Sequence, residues 1–344
     1  MSQTLGVAVI GLGFMGRTHI AAYNAAAAAG LPCRLVAVCD ASPERLSGSG
    51  PSMGNLATGA EGKPLFDPAS VRVQTDPERV FADPDVHIVS ICTYTDTHVP
   101  LALRALEAGK HVLVEKPVGV TAEAVRPLAD AAAHAWLRGR LCMPAMCMRF
   151  WPGWDWLHER VREGTYGRVR SATFQRLVGP PRWAEDFYRD PARSGGALVD
   201  LHIHDADFIS WCFGRPAAVQ TGGTYDHVTT VYRFGADGPG HVVAEGGWNL
   251  ARAFGFRMRY TVIFDEATAD FDIGRDPPLL LHTATETTPV PIASGAGYEP
   301  EVRHFVERVA GGGELRATMA DALQTAEILD AERESMLSGR AASL

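Results

Sequence analysis

The stretch Leu5-Gly6-Val7-Ala8-Val9-Ile10-Gly11-Leu12-Gly13-Phe14-Met15-Gly16 decides how the rest of the chain is read. Its first half, LGVAVI, is an unbroken apolar run of the length and composition of a strand buried on both faces. Three glycines spaced GxGxxG follow at once, and then a helical pattern over Thr18 to Ala29. In that setting each glycine has a physical task. Gly11 permits a tight turn, Gly13 lets backbone approach a pyrophosphate, and Gly16 lets helix and strand pack closely. The helix N-terminus that follows offers free N–H groups and a partial positive charge to phosphate. The next apolar run, RLVAVCD, ends in Asp40, whose carboxylate suits the two ribose hydroxyls of an adenosine and repels a 2′-phosphate. Ala41 and Ser42 follow it rather than an arginine, which favours NAD over NADP.

Outward from this stretch the pattern repeats. VRVQ, HIVSICT, HVLVEKP and LCMPAMC read as further buried strands, with helices over Thr97 to Ala108 and Thr121 to Leu137. Strand–helix alternation implies right-handed crossovers and a doubly wound, mainly parallel sheet. The Gly-, Ser- and Pro-rich segment 47–68 reads as a surface loop. After Arg149 the texture changes. A helix over Gly153 to Glu163, the strand VRSATFQRLV and a helix over Gly196 to Phe213 precede six strand-like runs between Ala217 and Val290. Two helices close the chain, near Glu301 to Val309 and Met319 to Met336. The expected architecture is an α/β Rossmann domain, 1–148, and an α+β substrate and oligomerisation domain, 149–344, built on a large, mostly antiparallel, open-faced sheet. The helix over 319–336 is expected to pack back on the first domain.

Composition narrows the function. The 344 residues carry 46% hydrophobic and 21% charged side chains and a formal charge of −8. That balance is globular and speaks against a nucleic-acid backbone binder. No apolar run reaches the roughly 18 residues of a membrane span, and MSQTLG lacks the charged start of a signal peptide. A cytoplasmic protein is expected. The six cysteines form no CxxC pair, so neither a disulfide framework nor a zinc ribbon is expected.

Two segments carry further chemistry. GKHVLVEKP places Lys116, between Glu115 and Pro117, at the carboxyl end of a central parallel strand, the edge where ligands bind in doubly wound sheets. SGGALVDLHIHDADFISWCFG holds two histidines and three aspartates. On a strand, His202 and His204 would share a face and suit a metal. The spacing of Leu198, Leu201, Phe208, Ile209 and Cys212 is helical instead. On a helix those histidines diverge, while Asp200 and His204 share a face at i and i+4, an arrangement better suited to proton transfer. No metal is expected.

With these motifs assembled, the chain resembles the Gfo/Idh/MocA oxidoreductase family, named for glucose–fructose oxidoreductase and inositol dehydrogenase. The resemblance rests on GLGFMG (11–16), Asp40, TYTDTH (93–98), AGKHVLVEKP ending at Lys116 and Pro117, MRFWP (148–152) and GGALVDLHIHDAD (195–207), in that order. It implies hydride transfer between a nicotinamide and a secondary hydroxyl or ketone of a sugar or cyclic polyol. His204 then takes the hydroxyl proton, Lys116 stabilises the same oxygen, and Asp200 holds ring or substrate. Thr93, Thr95, His98, Glu115 and Lys116 join Gly11, Gly13, Phe14, Met15, Gly16 and Asp40 as cofactor residues. Arg149, Trp151, Trp183 and His204 are candidate substrate contacts, with Trp154 as another aromatic nearby; core packing is the competing reading for the tryptophans. Self-association as a dimer or tetramer through the second sheet is likewise implied by the family. Where the family often has a small residue, this chain has His202, expected to point away from the site. Two other readings stay open, a dinucleotide-binding sensor without chemistry and a metal hydrolase on His202 and His204.

Overall fold

Every position of Leu5–Ile10 past the first is buried, as a strand covered on both faces requires. In the computed structural model, which describes residues 4–48, 64–181 and 184–344, this run is β1. In chain order the other elements are α1 (Phe14–Ala28), β2 (Cys33–Cys39), β3 (Arg72–Gln74), α2 (Pro77–Phe81), β4 (Ile88–Ile91), α3 (Thr95–Glu107), β5 (His111–Glu115), α4 (Ala122–Trp136) and β6 (Cys142–Ala145). Next come α5 (Trp154–Glu163), β7 (Val169–Leu177), α6 (Glu185–Tyr188), α7 (Pro191–Ser194), α8 (Gly196–Asp200), α9 (Ile203–Phe213), β8 (Ala218–Thr224), β9 (His227–Arg233) and β10 (His241–Gly247). The last are β11 (Arg257–Phe264), β12 (Thr268–Asp272), β13 (Leu279–His282), β14 (Thr287–Pro289), α10 (Tyr298–Gly311), α11 (Met319–Ser338) and β15 (Ala342–Ser343).

The chain divides into two compact units, 1–150 with 296–323, and 151–295 with 324–344. In the first, the described strands form one sheet in the order β3-β2-β1-β4-β5-β6, with every pairing parallel. The chain winds outward from β1 to β3 and then restarts at β4 on the other side, so the order reverses between β1 and β4. The register sets Ile10 opposite both Cys39 and Ile91, and Glu115 opposite Ala145. The residues that follow these strand ends therefore emerge along one edge of the sheet. Helix α10, with Val302, Phe305 and Val306 buried, packs on α1.

The second unit holds a sheet in the order β14-β13-β12-β11-β7-β10-β9-β8-β15, antiparallel except for β7 beside β10. Burial alternates strictly along β11, so one face is covered and the other carries Arg259, Thr261 and Ile263. Under the covered face Trp154 meets Phe208 at 4.7 Å, Tyr260 at 5.3 Å and Phe174 at 5.8 Å between ring centroids.

The C-terminal part contributes 296–323 to the first unit, which is α10 and the start of α11, while α11 belongs to the second unit from Gln324 onward. The reason is polar. Ser335 accepts the Thr221 N–H at 2.9 Å and Glu332 accepts the Tyr232 hydroxyl at 2.7 Å, so α11 is bonded to β8 and β9. The helix expected over Gly196 to Phe213 is broken at Leu201–His202 into α8 and α9. There the His202 N–H reaches back five residues to the Ala197 carbonyl at 2.8 Å, and the Asp205 N–H only three, to His202. Among the described residues no helix is long and apolar enough to cross a membrane. Most of the loop read over 47–68 lies outside the described residues.

Candidate active site

At the end of β1 the chain turns at Gly11 with φ +88°, and a Cβ there would lie 2.6 Å from the Cys92 carbonyl oxygen. Gly16 is as constrained, since its Cβ would sit 1.8 Å from the Gly11 oxygen. Gly13 differs. A Cβ at Gly13 would meet nothing within 4 Å, so the loop leaves open space there. Helix α1 begins beside that space with no side chain capping it and no acidic residue in its first turn. Its leading N–H groups and dipole thus favour an anion. Glycine loop and open space together fit a dinucleotide pyrophosphate.

Asp40 follows β2 and is 6% exposed. Its carboxylate accepts the Leu12 N–H at 2.6 Å and the Ser42 N–H at 2.8 Å, which ties the end of β2 to the glycine loop. The Arg45 guanidinium, half exposed, stands 3.6 Å away. No arginine follows Asp40 directly; the 3₁₀ turn over Pro43–Ser47 brings in one five residues on.

On the same sheet edge β5 ends at Glu115, and the Lys116–Pro117 peptide is cis. Lys116 is half-buried. Glu115 is 4% exposed and has both oxygens engaged: Oε1 lies 2.9 Å from His19 Nε2 on α1, and Oε2 accepts the Lys116 N–H at 3.1 Å. His19 Nδ1 lies 2.6 Å from the Ser90 hydroxyl on β4. Burial works against charge on this imidazole, but the Cys92 thiol and Glu115 carboxylate beside it hold its pKa well above the ordinary histidine range. His98, 1% exposed, faces the Pro117 carbonyl with Nδ1 at 2.8 Å and the Thr93 carbonyl with Nε2 at 3.0 Å. Burial lowers its pKa. Thr93 is half-buried, with its hydroxyl accepting from Thr97 at 2.7 Å, and Thr95 is buried at the start of α3. Glu115 and His98, both expected at the cofactor, thus have their side-chain polar atoms within bonding distance of protein groups. Sequence reading missed His19. Its signal was a polar residue on the inner face of an otherwise alanine-rich helix.

In the second unit Gly196–Ile203 is buried throughout except at Asp200, and His204 is the next half-buried position. Asp200 ends α8 and His204 lies in the first turn of α9, so the break between them, not a continuous helix, sets their spacing. His202 points inward. Its Nε2 lies 3.0 Å from both Glu332 Oε2 and the Tyr232 hydroxyl, all three side chains being buried. A Cβ on Gly246 of β10 would strike this ring at 2.8 Å. Burial opposes charge on His202, yet the Glu332 carboxylate raises its pKa. Three residues on, Asp205 takes a two-pronged ion pair from Arg176, both bonds 3.0 Å and both side chains buried. Among the described residues no group of three or more His, Cys, Asp or Glu side chains is arranged to hold a metal ion.

Of the candidate substrate contacts, Arg149 is corrected. It is 2% exposed and donates to the Arg316 carbonyl at 2.9 Å and to Asp321 at 3.1 Å, a tie inside the first unit. Trp151 is buried and Trp154 lies in the core of the second unit. Trp183 lies outside the described residues.

Comparison with known proteins agrees with this geometry. The model of an oxidoreductase family with an NAD-binding Rossmann fold, GFO_IDH_MocA, matches residues 5–138, and the GFO/IDH/MocA C-terminal domain matches residues 154–269. Levoglucosan dehydrogenase of Pseudarthrobacter phenanthrenivorans is 27% identical, the match covering 97% of this chain and 96% of that protein. Inositol 2-dehydrogenase of Rhizobium meliloti is 26% identical over 99% of this chain and all of its own. A solved structure of levoglucosan dehydrogenase in complex with NADH and levoglucosan covers 99% of both chains with a TM-score of 0.83 at 25% identity. With both halves matched in chain order to the same family, the chain belongs to the Gfo/Idh/MocA family and is an NAD-binding oxidoreductase.

Proposed function

We propose that the protein is a dehydrogenase or reductase that moves a hydride between the nicotinamide of NAD and a carbinol carbon of a sugar, sugar derivative or cyclic polyol. The observation that carries this reading is the single sheet edge on which the glycine loop, Asp40 and Lys116 emerge together. Residues 1–148 are read as the NAD(P)-binding domain and 149–344 as the substrate and oligomerisation domain. The N-terminus of α1, with Gly11, Gly13, Phe14, Met15 and Gly16, holds the pyrophosphate. Asp40 accepts from the adenosine ribose, and this preference for a free 2′-hydroxyl favours NAD over NADP. Thr93, Thr95 and Lys116 serve the nicotinamide end.

Bound NAD supplies the hydride acceptor. His204 takes the proton from the substrate hydroxyl, a role suited to an imidazole near neutrality. Lys116 hydrogen-bonds the same oxygen and stabilises charge that builds on it. Asp200 orients the imidazole or the substrate, and Trp151 and Trp183 remain candidate sugar contacts. Levoglucosan and inositol, the substrates in the relatives' names, are the first compounds to test. The open face of the second sheet, carrying Thr261 and the exposed Ile263, serves self-association as a dimer or tetramer. Six free cysteines, five of them buried, suit a reducing cytoplasm.

The test is absorbance of reduced nicotinamide with NAD or NADP and a panel holding levoglucosan, myo-inositol and related polyols, run in both directions. Turnover that falls by about 10²–10³-fold in Lys116→Ala, with NADH affinity kept, is expected for loss of one oxyanion donor. No turnover across the panel, or full turnover in that variant, overturns the reading.

A further inference from the structure

The lysine turn is held in an unusual way. The Lys116 N–H is accepted by Glu115 Oε2 at 3.1 Å, and the other oxygen of that carboxylate is fixed by His19 at 2.9 Å. One residue beyond Lys116, the Pro117 carbonyl faces His98 Nδ1 at 2.8 Å. The two-residue turn is thus bonded at its leading N–H and at its trailing carbonyl, by groups traceable to two imidazoles on different helices. His19 is anchored on its far side as well, on Ser90, whereas a neutral His98 has a single N–H, which the clamp places on Nδ1 toward Pro117, with Nε2 turned to Thr93. His19 is fully buried and His98 is 1% exposed, so water does not compete for these bonds.

We infer that His19 and His98 are positioning residues: a two-imidazole clamp that fixes the Glu115–Lys116–Pro117 backbone and so aims the lysine ammonium. This inference rests on the role given to Lys116 above. A flexible four-carbon stem does not by itself hold an ammonium at one point. Pinning both ends of the peptide segment removes the backbone share of that freedom. The carboxylate of Glu115 is the linking part. Without His19 it swings off the Lys116 N–H, and the first peptide plane of the turn is released. The same arrangement joins α1, whose N-terminus faces the proposed phosphate site, to β4 and β5 through one ring.

The chain contains only three lysines, Lys63, Lys110 and Lys116, which makes the test site-resolved. Reductive methylation with ¹³C-formaldehyde gives one dimethyl-lysine NMR signal for each, with Lys116→Arg assigning the third. Lys110 is an internal control, because its ammonium is held by the Asp83 and Val86 carbonyls at 2.7 and 2.8 Å. In His19→Leu and in His98→Leu the Lys116 signal is expected to move or broaden while the Lys110 signal stays. His19→Gln, which keeps a donor toward Glu115, restores it. Where a leucine variant does not fold, Glu115→Gln reads the same link, since it keeps shape and removes the charge that His19 grips.

Kinetics give the second readout, with levoglucosan or myo-inositol as substrate. A misaimed ammonium lowers kcat by up to about 10²-fold with the KM for NAD unchanged. In a Lys116→Ala background the histidine substitutions then cost nothing further, which a merely structural role would not produce. An unmoved Lys116 signal in the folded His19→Leu and Glu115→Gln proteins overturns the clamp. So does an equal disturbance of Lys110, which marks general loosening. Full turnover in Lys116→Ala alone overturns the role of the lysine and leaves the spectroscopic result on the clamp standing.

Discussion

The turn at Glu115–Pro117 and the helix break at Asp200–His204 solve one problem with different reach. Each presents a half-buried polar side chain where regular structure stops, and each is braced by a buried histidine against a carboxylate: His19 on Glu115, His202 on Glu332. In the turn the carboxylate is the immediate neighbour of the lysine, so the brace is part of the motif. At the break the carboxylate arrives from α11, near the end of the chain, with Tyr232 and Thr230 from β9 around it. The Arg176–Asp205 pair likewise joins β7 to α9. The first region is positioned by bonds to its own peptide groups and by one buried histidine from α1, the second by a buried histidine–glutamate pair and a buried arginine–aspartate pair that join α9 to α11 and β7. Removing one partner of the arginine–aspartate pair should therefore cost the most.

The largest expected effect follows from Asp205. Its substitution by alanine leaves the Arg176 guanidinium, 3% exposed, without its counter-charge. About 3–5 kcal/mol of stability should be lost, as when other buried pairs are broken. Urea denaturation followed by circular dichroism measures it, and a loss under about 1 kcal/mol would show the pair to be an ornament of the fold. Next comes Glu332→Gln, expected to cost about 2–3 kcal/mol, because the amide still accepts from Tyr232 but no longer balances His202. The sign with pH is specific. A histidine with a raised folded pKa contributes fully below about pH 6.5, its unfolded value, and its contribution is lost as pH rises through the folded pKa. The gap between wild type and Glu332→Gln should accordingly narrow as pH rises above 6.5.

The first unit supplies the opposite sign. His111 accepts the Leu141 N–H with Nδ1 at 3.1 Å, and His304 accepts the Arg316 N–H with Nε2 at 3.1 Å. Only a neutral imidazole accepts. Burial first, and then Arg140 and His87 beside His111 or Arg308 and Arg316 beside His304, push each pKa down to about 4. A depressed folded pKa means stability present above pH 6.5 and lost as pH falls from there toward 4. After allowance for solvent screening each ring is expected to contribute about 1–2 kcal/mol to that acid limb. Thermal melts of His111→Asn and His304→Asn between pH 7 and 4 check it: the acid limb should flatten, and an unchanged slope would remove these rings from the account.

How much of this was legible follows the same division of reach. The parallel sheet, the turn at Gly11 and the place of Lys116 at a strand end were all readable, because each is dictated by residues within a few positions of one another. Arg45 was missed because a 3₁₀ turn, not direct adjacency, carries it to Asp40. Arg149 was misread because its partners, Arg316 and Asp321, lie more than 160 positions away. The continuous helix over Gly196–Phe213 was expected from apolar spacing alone. Spacing is blind to Glu332, which holds His202 inside and sits beside the break.

The smallest effect sharpens the comparison most. Gly13 has φ −70°, open to any residue, and a Cβ there meets nothing within 4 Å. Alanine at Gly13 should therefore leave the urea midpoint of the protein unchanged. What it meets is whatever binds at the start of α1. The expected cost is about fivefold in NADH affinity, ~1 kcal/mol, read by fluorescence titration. Function in the first region then separates from stability, because space for a ligand is a feature the fold does not use. No such substitution is expected among Gly196–Leu198, Ile203 and Asp205–Ile209, where every side chain is in the core. A Gly13→Ala protein that binds NADH as tightly as wild type would mean that the open space beside α1 is not where the pyrophosphate lies.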